Sequence, residues 1–287
     1  MESRDTPIEP ALHPLVSLLP LGQPFTPAMA ARVGIDRTAL GRMLRAGVVR
    51  RLVRGVYVDA TVAPDRDLRA RALALVVAPQ RVVTGRAAAW LYGVGAADPA
   101  GRLETVAASS RVVPARDVTE VAGLRVTTPV RTALDVGRTL AAEDAVAMLD
   151  AFLRDGLVRH RELVAALPGV ARMRGNVQLR SLVAMADGRA GCRAESVLRL
   201  RWYAARLPTP TPRVVVTPGL WLELALPARR FAAALSGRLT EAQLQALQAR
   251  GWRVVVLPEE RLLAADPHFV IGHLEREYLQ HLLDQVG

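Results

Sequence analysis

Residues Phe25 to Tyr57 read FTPAMAARVGIDRTALGRMLRAGVVRRLVRGVY, and this stretch decides the fold of the N-terminal part of the chain. Thr26 can cap a helix that starts at Pro27, where the missing N–H of proline costs nothing. Asp36 can then cap a second helix, which the sequence predicts over Arg37–Arg45. The stretch therefore begins with two short helices separated by a tight turn.

The predicted second helix has an apolar side and a polar side. Its apolar positions recur at the spacing of a buried helical stripe, and they are Leu40, Met43 and Leu44. At about 100° per residue, three polar residues fall roughly opposite, and they are Thr38, Arg42 and Arg45. Hydroxyl and guanidinium groups on one helix face are suited to reading base edges in the major groove of DNA. We therefore predict that these three residues read bases.

A basic hairpin follows the two helices. The segment VVRRLVRGVYV contains two β-branched runs joined through Arg54 and Gly55, which predicts two antiparallel strands. Seven arginines and one acidic residue lie between Phe25 and Tyr57, so this stretch carries +6 of the chain's net charge of +11. Helix, helix and basic hairpin in this order are typical of a winged helix-turn-helix, in which basic side chains contact phosphates. The predicted phosphate-binding residues are Arg37, Arg50, Arg51 and Arg54. The alternative is a small helical hairpin with solvated arginines.

Composition limits the remaining possibilities. A chain of 287 residues with 51% hydrophobic content suggests two or three domains with real cores. All 38 basic residues are arginine, so the clustering of charge is a stronger signal than its total. The single cysteine, Cys192, excludes an internal disulfide, and a reducing cytoplasm is the expected compartment. No run approaches the length of a membrane span, and no metal or cofactor is expected.

The predicted fold class is α+β or α/β with several domains. A mobile tail is expected over residues 1–10, and a winged helix-turn-helix domain over residues 11–60, with its first helix at Ala11–Leu19. A central α+β domain is predicted over residues 61–187. Its predicted elements include a helix capped by Thr84, a helix over Ala142–Arg154, and strands at Arg81–Val83, Leu103–Ala108 and Leu124–Thr127. Residues 188–287 are predicted to form a mixed-sheet domain, because a helix, a hairpin, an apolar strand, a helix, a strand and a closing helix follow in order.

Three segments carry a resemblance to a known family. They are RRLVRGVYV at the end of the head, TGRAAAWLYGV at residues 84–94, and VTTPVRTALDVGR at residues 126–138. In this order and spacing they resemble the AbiEi-like antitoxins of type IV (abortive-infection) toxin–antitoxin systems. The resemblance implies a DNA-binding antitoxin that represses its own operon and acts against a nucleotidyltransferase-like toxin. Its implied partners are double-stranded operator DNA and that toxin, and a homodimer is compatible with the resemblance.

The C-terminal segment resembles the very-short-patch-repair-endonuclease-like domains, which have the restriction-endonuclease-like fold. Glu195 matches the acid on their first helix, and Glu223 stands where they place an aspartate. Their Glu-Tyr-Asp-Gly segment reads Ala234-Leu235-Ser236-Gly237 here. Such a nuclease holds a divalent cation with carboxylates, which Ala234 and Ser236 cannot provide. These departures from the family pattern therefore predict no enzyme activity. Glu195 and Glu223 would be vestigial residues, and they could equally pair with nearby arginines.

The leading hypothesis is a DNA-binding regulator with an inactive nuclease-like domain, kept as a scaffold, a dimerisation surface or an accessory DNA-contacting surface. A second hypothesis is a metal-dependent DNA endonuclease that uses Glu195 and Glu223. A third is a protein-interaction module that neutralises a nucleotidyltransferase-like toxin without binding DNA.

Overall fold

The computed structural model describes residues 22–95, 103–107, 113–264 and 266–286. The chain divides into two compact units, with the boundary between Asp135 and Val136. Both units combine helices with small sheets, so the predicted α+β multidomain class is confirmed. The predicted tail at residues 1–10 and the helix predicted at Ala11–Leu19 lie outside the described residues. The domain boundaries predicted at residues 60 and 187 stay predictions.

The first unit contains four helices and six strands among its described residues. In chain order they are α1 (Pro27–Arg32), α2 (Arg37–Arg45), β1 (Val49–Val53), β2 (Val56–Asp59), α3 (Arg66–Ala74), β3 (Arg81–Val83), α4 (Gly85–Leu91), β4 (Thr105–Ala107), β5 (Val118–Val121) and β6 (Leu124–Thr127). β1 and β2 form an antiparallel hairpin, and the other four strands form a sheet in the order β4-β3-β6-β5. Helix α5 (Pro129–Thr139) contains the boundary between the units.

The first two helices start where the sequence predicts. The Thr26 hydroxyl accepts a hydrogen bond from the Met29 amide at 3.3 Å. The Asp36 carboxylate accepts one from the Ala39 amide at 2.7 Å. These bonds satisfy amides that have no partner within the helix, so local sequence fixes both helix starts.

The start of α4 is different, and the prediction that Thr84 caps it is wrong. The Thr84 hydroxyl donates to the Asp135 carboxylate at 3.3 Å and makes no cap bond. The Arg86 amide instead donates to the Glu104 carboxylate at 2.6 Å. Gly85 allows this approach, because a Cβ atom there would lie 1.6 Å from that carboxylate oxygen. A side chain from a neighbouring strand therefore replaces the local cap.

The hairpin of the first unit packs against apolar residues on both sides. One hydrophobic cluster belongs to the head and includes Phe25, Ile35, Leu40, Met43 and Tyr57. The other joins the hairpin to α3, α4 and β6 and includes Leu52, Val56, Leu68, Leu73 and Val126. The backbones of Phe25 and Tyr57 also pair through hydrogen bonds of 2.9 and 2.8 Å. The position and orientation of α2 relative to the hairpin are therefore set by a shared core.

The second unit contains helices and one four-stranded sheet. In chain order they are α6 (Ala142–Arg154), α7 (His160–Ala166), α8 (Asn176–Met185), α9 (Arg193–Ala204), β7 (Thr211–Thr217), β8 (Leu220–Leu226), β9 (Phe231–Leu235), α10 (Glu241–Ala249), β10 (Arg253–Leu257), α11 (Glu259–Leu262) and α12 (His268–Val286). The strand order is β10-β9-β8-β7, with β9 and β10 parallel and the other pairs antiparallel. This is the mixed sheet that the sequence predicts.

Apolar side chains cover both faces of this sheet. One cluster combines strand residues with α9, α11 and α12, around Trp202, Phe231 and Leu274. The other contains Leu222, Ala232 and Leu247, the last from α10. Within the described residues, no helix is both long enough and apolar enough to cross a membrane.

Candidate nucleic-acid interface and acidic site

Helix α2 presents a polar row on its exposed side. Thr38, Arg42 and Arg45 are all exposed, whereas Leu40 is 4% exposed and Met43 is fully buried. Within the described part of the chain, neither arginine of this row forms a hydrogen bond or an ion pair. Their guanidinium groups therefore remain available to a partner.

The four arginines predicted to bind phosphates fall into two pairs. Arg37 and Arg54 are exposed, and among the described residues neither has a hydrogen-bond or ion-pair partner. Arg50 is half-buried and donates to a backbone carbonyl just after β2 at 2.6 Å. Arg51 donates to the Tyr57 hydroxyl at 3.3 Å, and its guanidinium lies 5.5 Å from the centre of that ring. The first pair is free to bind phosphate, while the second pair is partly used within the protein.

In the second unit, Glu195 lies in the first turn of α9 and is 5% exposed. Its Oε2 atom accepts a hydrogen bond from the Gly191 amide at 2.8 Å. The Nη2 atom of Arg213 lies 3.4 Å from both carboxylate oxygens, and the Nη2 atom of Arg238 lies 3.8 Å from Oε1. Glu195 is therefore well compensated despite its burial.

Glu223 on β8 is compensated less well. It is 2% exposed, and neither carboxylate oxygen has a hydrogen-bond partner. Among the described residues, its one ion-pair contact joins Oε1 to the Nε atom of Arg238 at 3.9 Å. Burial raises the pKa of Glu223, and the negative charge of Glu195 raises it further. The backbone amides of Glu223 and Leu235 and the guanidinium of Arg238 lower this pKa, although neither amide reaches hydrogen-bond geometry.

The carboxylates of a divalent-cation site are incomplete here. The strand register that pairs Leu224 with Ala233 puts Ala234 next in line, opposite Glu223. Ala234 is fully buried and Ser236 is exposed, and neither side chain has a carboxylate. In residues 22–95, 103–107, 113–264 and 266–286, no group of three or more His, Cys, Asp or Glu could hold a metal ion. The residues present do not fit a nuclease-type cation.

The structure adds two arginines to this site that the sequence analysis does not single out. Arg213 adopts a left-handed backbone angle, φ +50°, and its guanidinium lies 4.7 Å from the centre of the Trp221 ring. A non-glycine residue in this region is strained, which is common at functional sites. Arg238 follows Gly237 directly after β9, close to the missing acids. That proximity in sequence is a signal that could have identified Arg238, whereas Arg213 is recognisable only from the fold.

We expect Glu223→Gln to stabilise the protein at neutral and higher pH. Since the pKa of Glu223 is raised above its ordinary value of 4.5, the folded state binds this proton more tightly than the unfolded chain. The contribution of the group to stability is therefore fully present below pH 4.5 and is lost as the pH rises through the folded-state pKa. Glutamine removes that loss, so urea unfolding should show a gain of about 1 kcal/mol at about pH 8 and almost none at about pH 4.

Glu260→Gln is the matched control for this prediction. Glu260 is exposed in the short helix α11, so its substitution should change the free energy of unfolding by less than about 0.5 kcal/mol at either pH. A Glu223→Gln protein that is less stable than the wild type at about pH 8 would show that the ionised carboxylate stabilises the fold, contrary to its burial.

The sequence of this chain matches two family models and two known proteins. Residues 15–58 match a family model described as a transcriptional regulator and AbiEi antitoxin. Residues 99–185 match a second model, described as the AbiEi antitoxin C-terminal domain. Two uncharacterized proteins from two strains of Mycobacterium tuberculosis are each 32% identical to the chain over 185 residues, which is 61% of this chain and 68% of each relative.

The chain belongs to the same family as these two proteins. It carries AbiEi-type antitoxin domains, and these support the role of an antitoxin of the type IV toxin–antitoxin class. The first match covers α1, α2 and the hairpin, where the exposed row lies. Both matches end before α9, so neither reaches the acidic site. No solved structure matches the chain.

Proposed function

We propose that this AbiEi-like antitoxin binds double-stranded DNA through its head and represses its own operon. One observation carries the proposal: α2 holds Thr38, Arg42 and Arg45 exposed in one row, while its opposite side is anchored in the head core. A row of free donors on a firmly packed helix is what reading of a major groove requires. The description of the first family model as a transcriptional regulator also supports the proposal.

The proposed roles follow the exposure of each side chain. Thr38, Arg42 and Arg45 would read base edges, and the winged head would comprise residues 11–60. Arg37 and Arg54 would hold phosphates with guanidinium groups that are free among the described residues. Arg50 and Arg51 would add positive charge beside the hairpin, since part of their donor capacity serves the fold.

We assign the central region, residues 61–187, to the antitoxin function. The match of residues 99–185 to an antitoxin C-terminal domain supports this assignment. Its proposed partner is a nucleotidyltransferase-like toxin. The alternative is that the protein neutralises such a toxin without binding DNA. In that case the wild type would not bind upstream DNA, and substitutions in α2 would leave neutralisation of the toxin unchanged.

The C-terminal unit is proposed to be an inactive relative of the very-short-patch-repair-endonuclease-like domains. The absence of carboxylates at Ala234 and Ser236 supports inactivity. A specific observation keeps the endonuclease alternative in view: Glu195 and Glu223 are both buried and approach the same guanidinium. An active endonuclease would cut DNA with magnesium or manganese and would stop doing so in Glu223→Ala.

Fluorescence anisotropy tests the proposal. The purified protein is titrated against DNA from its own upstream region and against scrambled DNA of equal length, across a salt series with and without magnesium. Tighter binding to the upstream DNA, by a factor of about 1,000 or more, with intact DNA on a gel, is expected. Equal affinity for both DNAs would remove autorepression, and metal-dependent cutting would favour the endonuclease.

Arg54→Ala should weaken binding to every DNA about equally. Arg54 is exposed at the tip of the hairpin, so its guanidinium is suited to contact a phosphate, which carries no sequence information. Loss of one phosphate contact should reduce the slope of log K against log salt by about 0.9. The measurement is the salt series described above, for upstream and scrambled DNA.

The control is Arg180→Ala, which removes one exposed arginine from α8 in the second unit. It lowers the net charge equally, so it separates a local contact from a general charge effect. An Arg54→Ala slope equal to that of Arg180→Ala would exclude a phosphate contact by the hairpin tip.

A further inference from the structure

We propose that the guanidinium of Arg238 is a built-in counter-cation that takes the place of a divalent metal ion between Glu195 and Glu223. This deepens the proposed function, because it rests on the proposal that the C-terminal sheet carries no catalytic metal. It assigns a specific side chain to the position that a cation would need.

The two acids lie on separate elements of the second unit. Glu195 comes from the first turn of α9 and Glu223 from the middle of β8, and both are at least nine-tenths buried. Both approach the same guanidinium: Oε1 of Glu195 lies 3.8 Å from Nη2 of Arg238, and Oε1 of Glu223 lies 3.9 Å from Nε. One cationic group is therefore shared by two carboxylates from separate elements.

Glu223 depends on this cation for charge compensation. The other guanidinium at the site, that of Arg213, approaches Glu195, and no ion pair joins it to Glu223 among the described residues. Both oxygens of Glu223 are buried without a hydrogen-bond donor. An ionised carboxylate in such a position is costly unless an opposite charge is close. Within the described residues, Arg238 supplies the only ion-pair contact that Glu223 makes.

The guanidinium differs from a metal ion in the ligands that it needs. A hard divalent cation is held by several oxygens at about 2.0–2.6 Å, whereas the guanidinium brings its own hydrogen-bond donors and needs no further acids. The Arg238 side chain is 46% exposed, so its donors can also reach water. Two carboxylates are enough for this arrangement, which therefore needs no acids at positions 234 and 236.

The test removes the guanidinium and supplies a metal ion in its place. Arg238→Ala should unfold at a temperature on the order of 5 °C below the wild type at neutral pH. Titration with Mn²⁺, followed by electron paramagnetic resonance and by thermal unfolding, should show weak binding to Arg238→Ala, because two carboxylates alone hold a divalent ion loosely, and recovery of part of the lost Tm. The wild type should show at least tenfold weaker Mn²⁺ binding.

Two further variants keep the test decisive. Glu223→Gln/Arg238→Ala loses one negative and one positive charge, so it should fold with a Tm close to that of Glu223→Gln and gain no Mn²⁺ binding. Arg213→Ala is the matched control, since it removes the other guanidinium at Glu195 but leaves Arg238 between the acids. It should also gain no Mn²⁺ binding.

The opposite results would overturn the inference. Mn²⁺ binding to the wild type as tight as to Arg238→Ala would show that the guanidinium does not occupy the cation's place. A double variant as unstable as Arg238→Ala would show that Arg238 does not compensate Glu223. Failure of Arg238→Ala to gain Mn²⁺ would reject the equivalence with a metal ion. These readouts need no DNA, so they are distinct from metal-dependent DNA cutting by the wild type, which would overturn the proposed inactivity.

Discussion

Arg42→Ala is expected to lower affinity for the upstream DNA by about 5- to 150-fold, because a bidentate arginine–guanine contact is worth about 1–3 kcal/mol. Arg42 is exposed in the middle of the α2 row and has no partner among the described residues, so its loss should leave the fold unchanged. Affinity for scrambled DNA should fall much less, since there the side chain contributes only its charge. Anisotropy titrations of both DNAs at one salt concentration measure the ratio.

Arg54→Ala and Arg180→Ala are the comparisons that give this result its meaning. Arg54→Ala should lower both affinities together, and Arg180→Ala should change neither by more than a general charge effect. An Arg42→Ala protein with the wild-type ratio of upstream to scrambled affinity would remove α2 from its role as the base-reading helix. DNA binding through the hairpin would then be tested by Arg54→Ala alone.

Asp150→Asn is expected to destabilise the second unit by about 3–5 kcal/mol, because it leaves a buried guanidinium without its counter-charge. Asp150 on α6 is fully buried and pairs with Arg199 on α9, which is 3% exposed. Asp150 also accepts a hydrogen bond from the Asp187 amide at 2.7 Å. Asparagine has nearly the same shape and retains an acceptor for that amide, so the loss reports the charge and not a cavity. Urea unfolding at neutral pH measures it.

Two variants distinguish this buried ion pair from a solvent-exposed ion pair. Asp155→Asn removes an acid just past the C-terminal end of the same helix, whose pair with Arg154 is 40% and 39% exposed. That change should cost less than about 1 kcal/mol. Asp150→Asn/Arg199→Met removes both charges and should recover most of the stability, since a buried pair can be replaced by uncharged groups at little cost. If the free energy of unfolding of Asp150→Asn lay within about 1 kcal/mol of the wild-type value, the ion pair between Asp150 and Arg199 would not have the expected importance.

The buried carboxylates of Asp150 and Glu223 in the second unit differ in how well their charge is compensated. Asp150 and Arg199 contact each other directly and join α6 to α9, which is a structural role. Glu223 has a longer contact to a half-exposed arginine and two oxygens without donors. The ionised carboxylate of Glu223 is therefore costly in the folded state. Burial raises the pKa of both carboxylates. Asp150→Asn, however, leaves the buried guanidinium of Arg199 without a counter-charge, whereas the guanidinium left by Glu223→Gln is 46% exposed. We therefore expect Glu223→Gln and Asp150→Asn to change stability in opposite directions.

The sequence by itself determines the local elements of this protein. The caps at Thr26 and Asp36 set the starts of α1 and α2, and the bounds predicted for Arg37–Arg45 and Ala142–Arg154 are those observed. These features depend on residues within one or two helical turns, so they can be read from spacing and side-chain chemistry. The concentration of arginines around α2 and the hairpin is likewise visible in the chain itself.

Contacts between separate elements determine strand β5 and the cap of α4. Strand β5, VTEV, is absent from the sequence prediction, because its weak pattern becomes a strand only by pairing with β6 across a turn at Ala122 and Gly123, which adopt φ +48° and +78°. Glu104 takes over the cap predicted for Thr84 because β4 lies beside the start of α4.

The same reason applies to the acidic site. The resemblance of the C-terminal segment singles out Glu195, Glu223 and positions 234 and 236 from the sequence alone, since each is a local property of the chain. Only the packing of α9 against the sheet brings both carboxylates to the guanidinium of Arg238. Ion pairs between distant residues depend on distance in space, which the tertiary structure alone sets.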